Sequence, residues 1–301
     1  MAAPANRPKD IAVVIAVALI GLGFAWAAAG DGARVGSLSV FFMCGLIAFG
    51  VNWLVYIPSA IARTETFYDL TGAITYLSVI ATALLLSPAP DLRALVAAAM
   101  VALWCTRLGL FLFTRVRRDG EDRRFRHIKV NWSSFLVAWT TQGLWVVLTA
   151  ASALAIITAS RRAAPDAFLY VGAAVWLAGF LIEVVADGQK KAFRADPANR
   201  EKFITTGLWA WSQHPNYFGE IMLWTGMTIM AIPVLDGLQW MALVSPVFVF
   251  LLLTRISGVP LLRRQAKTRW GEDPAFQAYV RSTPILFPRP PRRKGAAAQP
   301  G

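Results

Sequence analysis

Apolar runs of membrane-spanning length recur along this chain, with polar stretches between them. A hydrocarbon core of about 30 Å is crossed by roughly 20 apolar residues in a helix. The pattern therefore predicts an all-α polytopic transmembrane helix bundle of seven or eight spans joined by polar loops. It forms a single integral-membrane domain over residues 1–290, followed by a basic, disordered tail over 291–301. The predicted spans are 11–29, 38–57, 67–86, 92–113, 134–158, 167–185, 218–235 and 238–257.

The first apolar run has two interpretations. Arg7 and Lys9 precede it, and it ends in Ala27-Ala28-Ala29-Gly30, a pattern that is also typical of a secretory signal with a small-residue cleavage site. Cleavage after this run would leave seven spans. Trp26 and the full length of the run favour a retained helix.

Composition and charge agree with a membrane protein and give it an orientation. Hydrophobic residues make up 56% of the chain, whose formal net charge is +13. Of the 30 Lys and Arg residues, 25 lie in the N-terminus, in the 58–66, 114–133 and 186–217 loops and in the tail from Arg255. The positive-inside rule therefore predicts that both termini are cytoplasmic. These charges lie at helix ends, which favours membrane lipids or a phosphorylated cofactor over nucleic acid as partners.

Metal and disulfide chemistry find little support in the sequence. Cys44 and Cys105 fall inside predicted spans, where a cysteine behaves as a small apolar residue. The chain has only two histidines, His127 and His214, so we expect no multi-histidine metal site.

Charged residues at the end of the sixth span form a helical row. Glu183, Asp187, Lys190 or Lys191, and Arg194 follow at spacings of three or four, so a continued helix would place them on one face. Carboxylates suit ribose hydroxyls or a carboxamide, and the cations further along suit phosphates. The alternative is an intrahelical ladder of salt bridges at a membrane exit.

The segment before the seventh span predicts a helix N-terminus. Pro215 is well placed to start the helix, and His214 before it could serve as a cap. Free N–H groups at this end favour an anion. Asn216 and Glu220, four residues apart, would lie on the same face. A carboxylate one turn into an apolar span must be paired, neutral or functional.

Two further groups lie earlier in the chain. Arg107 lies within a span, with Arg115 and Arg118 after it on the same helical face, and a charge at that depth indicates pairing with a carboxylate or phosphate unless it snorkels to the interface. Residues 65–69 open the third span with two carboxylates and a phenol, which could polarise a substrate carbonyl. Ordinary helix capping explains much of the same pattern.

Several motifs resemble the steroid 5α-reductase-like superfamily, and specifically its largely uncharacterised bacterial branch. The likeness covers roughly residues 60–290 and rests on FYDLTG, RLGLFLFTRVRRDGEDRRF, ADGQKKAFR, GLW, SQHPNYFGE, GVPLL and FPRP. The resemblance implies an NADPH-dependent oxidoreductase of a bacterial inner membrane, which reduces an activated carbon–carbon double bond (an enone) in a lipophilic, steroid- or isoprenoid-like substrate. The cofactor-binding residues that it implies are Arg107, Arg115, Arg118, Glu183, Asp187, Lys191, Arg194, Lys202, His214, Asn216, Tyr217 and Glu220.

Departures from the family pattern concern the substrate side. Glu183 stands where the family has an amide, and Trp104 stands where the steroid enzymes have a carbonyl-binding tyrosine. We therefore expect Tyr68 to donate to the carbonyl, supported by Glu65 or Asp69. The rival enzyme class is an S-adenosylmethionine-dependent methyltransferase related to isoprenylcysteine methyltransferases, with which the HPNY-x-G-E element is shared. A transporter is a third possibility, although no pair of Gly/Pro-interrupted half-helices indicates an inverted repeat.

Overall fold

The structure, a computed structural model, describes residues 7–122 and 124–291. It is 76% helical with almost no strands, so the prediction of an all-α helix bundle is confirmed. Within the described residues, seven helices are long and apolar enough to cross a membrane, and a bent pair makes an eighth if it counts as one span. The chain is thus an integral membrane protein. The predicted tail falls outside the described residues from 292 onward.

The helices extend beyond the apolar runs into polar sequence. Their bounds are α1 (Arg7–Ala27), α2 (Val40–Ala62), α3 (Tyr68–Leu86), α4 (Leu92–Asp119), α5 (Trp132–Thr149), α6 (Ala151–Thr158), α7 (Ala167–Ala195), α8 (Pro215–Ala231), α9 (Val244–Leu251), α10 (Gly258–Trp270) and α11 (Pro274–Ser282). A short antiparallel hairpin precedes α2, formed by two strands of two residues each, β1 (Arg34–Val35) and β2 (Leu38–Ser39).

Polar caps set several of these ends. Asp91 accepts a hydrogen bond from the Ala94 N–H at the start of α4, and Gly120, in the left-handed region at φ 81°, ends it. The apolar run had placed the end of this helix at residue 113. Hydropathy falls where the arginines begin, but Arg115–Arg118 are good helix formers, so the backbone continues for another turn and a half.

The predicted span 134–158 is not one straight helix. It breaks at Ala150, whose ψ is −1°, and α5 and α6 meet at 54°. The Ser245 hydroxyl donates to the Thr149 carbonyl, which removes that oxygen from the helical ladder at the bend. All eight residues of α6 are buried. A helix that is enclosed on every side has no polar face, so its apolar pattern could not reveal the break.

The predicted span 238–257 is also interrupted. A 3₁₀ segment (Gly237–Leu243) leads into α9, and a π-helical segment (Leu252–Ile256) follows before α10. The polar sequence after this span is folded: Asp273 accepts from the Ala275 N–H and Pro274 occupies the first turn of α11.

The chain divides into two compact units, each described by itself. Unit 1 is Met1–Gly172 with Met227–Ser245, and unit 2 is Ala173–Gly226 with Pro246–Gly301. In unit 1, buried Arg93 donates to Asp166 and to the Met230 carbonyl, both at 2.8 Å, and so ties the starts of two helices to the end of α8. That a single domain covers residues 1–290 stays a prediction.

Candidate functional site

Two glycines set the approach of α7 and α8 in unit 2. A Cβ on Gly219 would lie 2.6 Å from the Gly179 carbonyl oxygen and 2.7 Å from the Glu183 nitrogen. A Cβ on Gly179 would meet the Gly219 carbonyl and the Leu223 nitrogen, both at 2.6 Å. Backbone therefore rests on backbone here, which only glycine permits. The contact brings the charged row of α7 against the first turns of α8.

The acidic end of this row is enclosed by protein. Glu183 is 2% exposed and Asp187 6% exposed. The Asn216 amide donates to the Asp187 carboxylate at 3.2 Å, which joins the two segments across 29 positions of sequence. Glu220 lies one turn further along α8. Carboxylates are rarely buried unless they are paired or functional, so the first turns of α8 and this part of α7 form one polar cluster inside apolar surroundings.

The basic end of the row is accessible. α7 continues to Ala195, ten residues past the predicted end of the span at 185, and Lys191 and Arg194 on its last turns are exposed. Lys190 lies over the Trp209 ring at 4.6 Å from its centroid. The distance along the helix from Glu183 to Arg194 is about 16 Å at 1.5 Å per residue. One helix thus offers buried acceptors at one end and exposed cations at the other.

The loop after α7 folds back on the helix. The Leu208 N–H donates to the Gln189 side chain at 2.9 Å, and the Trp209 indole donates to the Ala186 carbonyl at 2.9 Å. Gly207, directly before these two residues, takes φ +59°, a conformation that glycine adopts without strain. Lys202 in the same loop is exposed. These contacts fix the loop that leads to His214.

His214 is buried and neutral. Its ring stacks on Tyr217 at 5.3 Å and 16°, and its Nδ1 has no hydrogen-bond partner among the described residues. Burial, with the charges of Lys190 and Arg263, lowers the pKa of His214 to about 3. In the chain without ligand this imidazole is therefore neutral at neutral pH.

The segment after α11 holds the His214 loop, a contact that was not predicted from the sequence. The Ser212 hydroxyl donates to the Leu286 carbonyl at 2.8 Å, and the Gln213 amide donates to the Thr283 carbonyl at 2.6 Å. The Gln213 N–H donates to the Pro284 carbonyl at 2.8 Å. We call residues 271–291 the C-terminal strap. Its acceptors are backbone carbonyls, which any residue supplies, so no side-chain motif could reveal it.

The residues expected to act on a substrate carbonyl lie in unit 1, at the start of α3. Tyr68 is 5% exposed, its hydroxyl donates to the Ala138 carbonyl at 3.0 Å, and its ring contacts Phe125 and Trp139 at 4.6 and 5.2 Å. Glu65 accepts from the Lys129 ammonium at 2.6 Å. The group is thus assembled, and every member is also engaged in a contact that holds the fold.

Ion pairs connect this group to the loop that follows α4. Arg124 lies 3.3 Å from Asp69 and 2.7 Å from Asp122, and Glu65 accepts from the Asp122 N–H at 2.8 Å. Burial opposes the charge on Asp122, but the hydrogen bonds and charge of Arg124, with the charge of Arg115, hold its pKa below the usual range. The carboxylates at the start of α3 therefore anchor the loop as well as the helix.

The three arginines of α4 differ in their surroundings. The Arg107 guanidinium lies over the Phe111 ring at 5.4 Å, Arg115 lies 3.5 Å from Asp122, and Arg118 is exposed. Trp104, which stands where the steroid enzymes have a tyrosine, is buried against Tyr76 with the rings edge to face at 5.3 Å. Tyr76 is a phenol that the sequence did not single out.

A family profile matches residues 55–283, and the family's description is Protein of unknown function (DUF1295). The chain belongs to this family. All the residues singled out above as candidates for cofactor binding or catalysis, from Glu65 to Glu220, lie within the matched part of this DUF1295 protein. No curated protein and no solved structure matches it. Within its described residues, no group of three or more His, Cys, Asp or Glu side chains could hold a metal ion.

Proposed function

We propose that this DUF1295 protein is a membrane-embedded, NADPH-dependent reductase of an activated carbon–carbon double bond in a lipophilic, steroid- or isoprenoid-like substrate. The observation that carries the proposal is the hydrogen bond between Asn216 and Asp187. It joins the amide at the start of α8 to a buried carboxylate on α7, a helix whose far end bears exposed cations. The carboxylates can accept hydrogen bonds from hydroxyl or amide groups at one end of a ligand, and the cations can bind phosphates along its length.

The residues of unit 2 fit the parts of NADPH by their chemistry. Glu183, Asp187 and Glu220 supply acceptors for the carboxamide or for ribose hydroxyls, and Asn216 can both donate and accept. Lys191 and Arg194, with Lys202 on the adjoining loop, would take phosphates. Since His214 is neutral, it would orient the ligand through a hydrogen bond. NADPH, when bound, supplies the hydride, and these side chains position it and neutralise its charge.

The substrate side rests on unit 1. Tyr68, with Glu65 or Asp69 in support, would donate a hydrogen bond to the substrate carbonyl. Because its hydroxyl now donates to the Ala138 carbonyl, that bond must open before Tyr68 can serve a substrate. Tyr76 beside Trp104 is the second phenol on α3. A comparison of Tyr68→Phe with Tyr76→Phe would show which phenol donates to the substrate carbonyl. The variant that lacks the donor should have a lower kcat and an unchanged affinity for NADPH.

The positive-inside distribution supports a cytoplasmic location for the unit 2 loops, for both termini and hence for the cofactor side of the protein. NADPH is a cytoplasmic reductant, so this orientation and the cofactor proposal require each other. We propose a bacterial inner membrane as the location.

The test is NADPH binding to the purified full chain and its variants. We expect Asn216→Ala to weaken binding about tenfold, because it removes a hydrogen bond to the carboxamide and the amide partner that holds the Asp187 carboxylate, a loss of about 1–3 kcal/mol. The double variant Lys191→Gln/Arg194→Gln should weaken it as much. Its matched control is Arg34→Gln/Arg161→Gln, which removes the same charge from exposed positions of unit 1. Unchanged affinity in both site variants would overturn the assignment.

A further inference from the structure

α10 carries a cationic face with no acidic counterpart. The helix contains four basic side chains and no acidic one. Arg263, Arg264 and Lys267 are exposed, and among the described residues no carboxylate lies within ion-pair distance of these three. Arg269 differs from them, because it pairs with Glu201 at 3.2 Å. Three cations over little more than one helical turn therefore remain available to an external anion.

The opposite face of α10 fixes how these cations are presented. Leu262, Ala266 and Trp270 recur at intervals of four and are half-buried. The Trp270 indole donates to the Glu201 carbonyl at 2.6 Å, and its ring lies 5.8 Å from that of Phe203. The helix is therefore docked by its apolar side, and the cationic side faces outward.

Exposed apolar residues directly precede the cations. Ile256 is 62% exposed and Leu261 42% exposed. The stretch Gly237–Trp270, which contains the 3₁₀ and π-helical segments described above, has 34 residues, more than the roughly 20 that cross a hydrocarbon core. From Leu261 to Lys267 the helix rises about 9 Å. A headgroup layer is roughly 5–7 Å thick on each side of the core. With Leu261 at the edge of the core, Arg263 and Arg264 come to headgroup depth, and the long side chain of Lys267, one turn further out, can extend back toward it.

We propose that this face of α10 is a binding site for anionic phospholipid headgroups, formed by Arg263, Arg264 and Lys267. The charges are complementary, since the negative phosphate of an anionic phospholipid can pair with these three cations. The exposed apolar neighbours favour a lipid over a free nucleotide, because a nucleotide has no acyl chains to cover Ile256 and Leu261. Lipid bound here would brace α10, from which the C-terminal strap continues toward the His214 loop.

The experiment uses the full chain in nanodiscs of equal parts phosphatidylcholine and phosphatidylglycerol. Native mass spectrometry then counts the lipids that each variant retains on release. We expect the wild type to retain phosphatidylglycerol in preference, and Arg263→Gln/Arg264→Gln/Lys267→Gln to lower that preference at least about fivefold, since one basic residue near the surface contributes about that factor. The control, Arg34→Gln/Arg63→Gln/Arg161→Gln, removes the same charge and should keep the preference.

Two further arms keep the outcome decisive. Arg263→Lys/Arg264→Lys retains the charge and should retain the preference. If the triple variant does not fold, Arg264→Gln/Lys267→Gln takes its place, with the same loss of preference expected. NADPH affinity is measured on the same samples. An unchanged lipid preference in the triple variant, or an equal loss in the control, would overturn the proposal. So would a loss of NADPH affinity with the lipid preference intact, because the cations would then belong to the cofactor site.

Discussion

At the scale of single residues, His214 shows how surroundings decide a role. The residue lies at the start of α8, where an imidazolium would be a natural phosphate ligand. Burial and two neighbouring cations keep it neutral instead, with its pKa lowered to about 3. Its value to a ligand site is therefore geometric: the ring stacks on Tyr217, and the backbone N–H of His214 donates to the Ser212 hydroxyl at 3.1 Å.

The depressed pKa of His214 predicts a dependence of stability on pH. The unfolded chain binds this proton near pH 6.5 and the folded chain near pH 3, so the unfolded state holds more protons between these values and stability falls as the pH drops. We expect the wild type to lose about 2–3 kcal/mol between pH 6.5 and 4.5 relative to His214→Asn. Thermal unfolding in detergent at both pH values measures the difference. Parallel losses in the two proteins would contradict it.

At the scale of helices, the crossing of α7 and α8 depends on two glycines. Gly219→Ala would place a methyl group 2.6 Å from the Gly179 carbonyl oxygen, so the helices must separate and Glu183 must move with them. We expect a loss of about 1–3 kcal/mol in the free energy of unfolding, which is typical of overpacking, together with weaker NADPH binding.

Gly188→Ala is the matched control for this change. Gly188 lies in α7, and a Cβ there would meet nothing within 4 Å. The same substitution should therefore stabilise the protein by roughly 0.5–1 kcal/mol through helix propensity. Opposite signs in the two alanine variants, measured as shifts of Tm in detergent, are the expected result. If both variants stabilise the protein, the glycine contact is not a constraint.

The sequence predicted most of the helices but not their interruptions. Hydropathy locates the spans but ends the span of α7 at residue 185. The helix continues to Ala195, so Glu183, Asp187 and Arg194 share the single helix that their spacing allowed. The bend at Ala150 could not be predicted, because no Gly or Pro marks it and the hydroxyl at the bend comes from Ser245, 96 positions away. The C-terminal strap was missed for the same reason, since its long-range bonds end on backbone carbonyls.

At the scale of the whole molecule, the account depends on which side of the membrane each loop occupies. The chain's two cysteines are buried, so a new surface cysteine can be labelled selectively. We expect a membrane-impermeant maleimide to label Ser160→Cys, between α6 and α7, in intact spheroplasts. Ser282→Cys on α11 should react only after the membrane is opened. The reverse pattern would place the unit 2 loops away from cytoplasmic NADPH and contradict the orientation.

The central claim is that the α7 row and the start of α8 bind a phosphate-bearing dinucleotide. Its most direct test is a titration of the purified wild-type chain with NADPH, with S-adenosylmethionine as competitor. S-adenosylmethionine carries no phosphate, so it cannot use Lys191 and Arg194 as NADPH does. The account predicts saturable NADPH binding that S-adenosylmethionine does not displace. Saturable binding of S-adenosylmethionine, with no binding of NADPH, would contradict it.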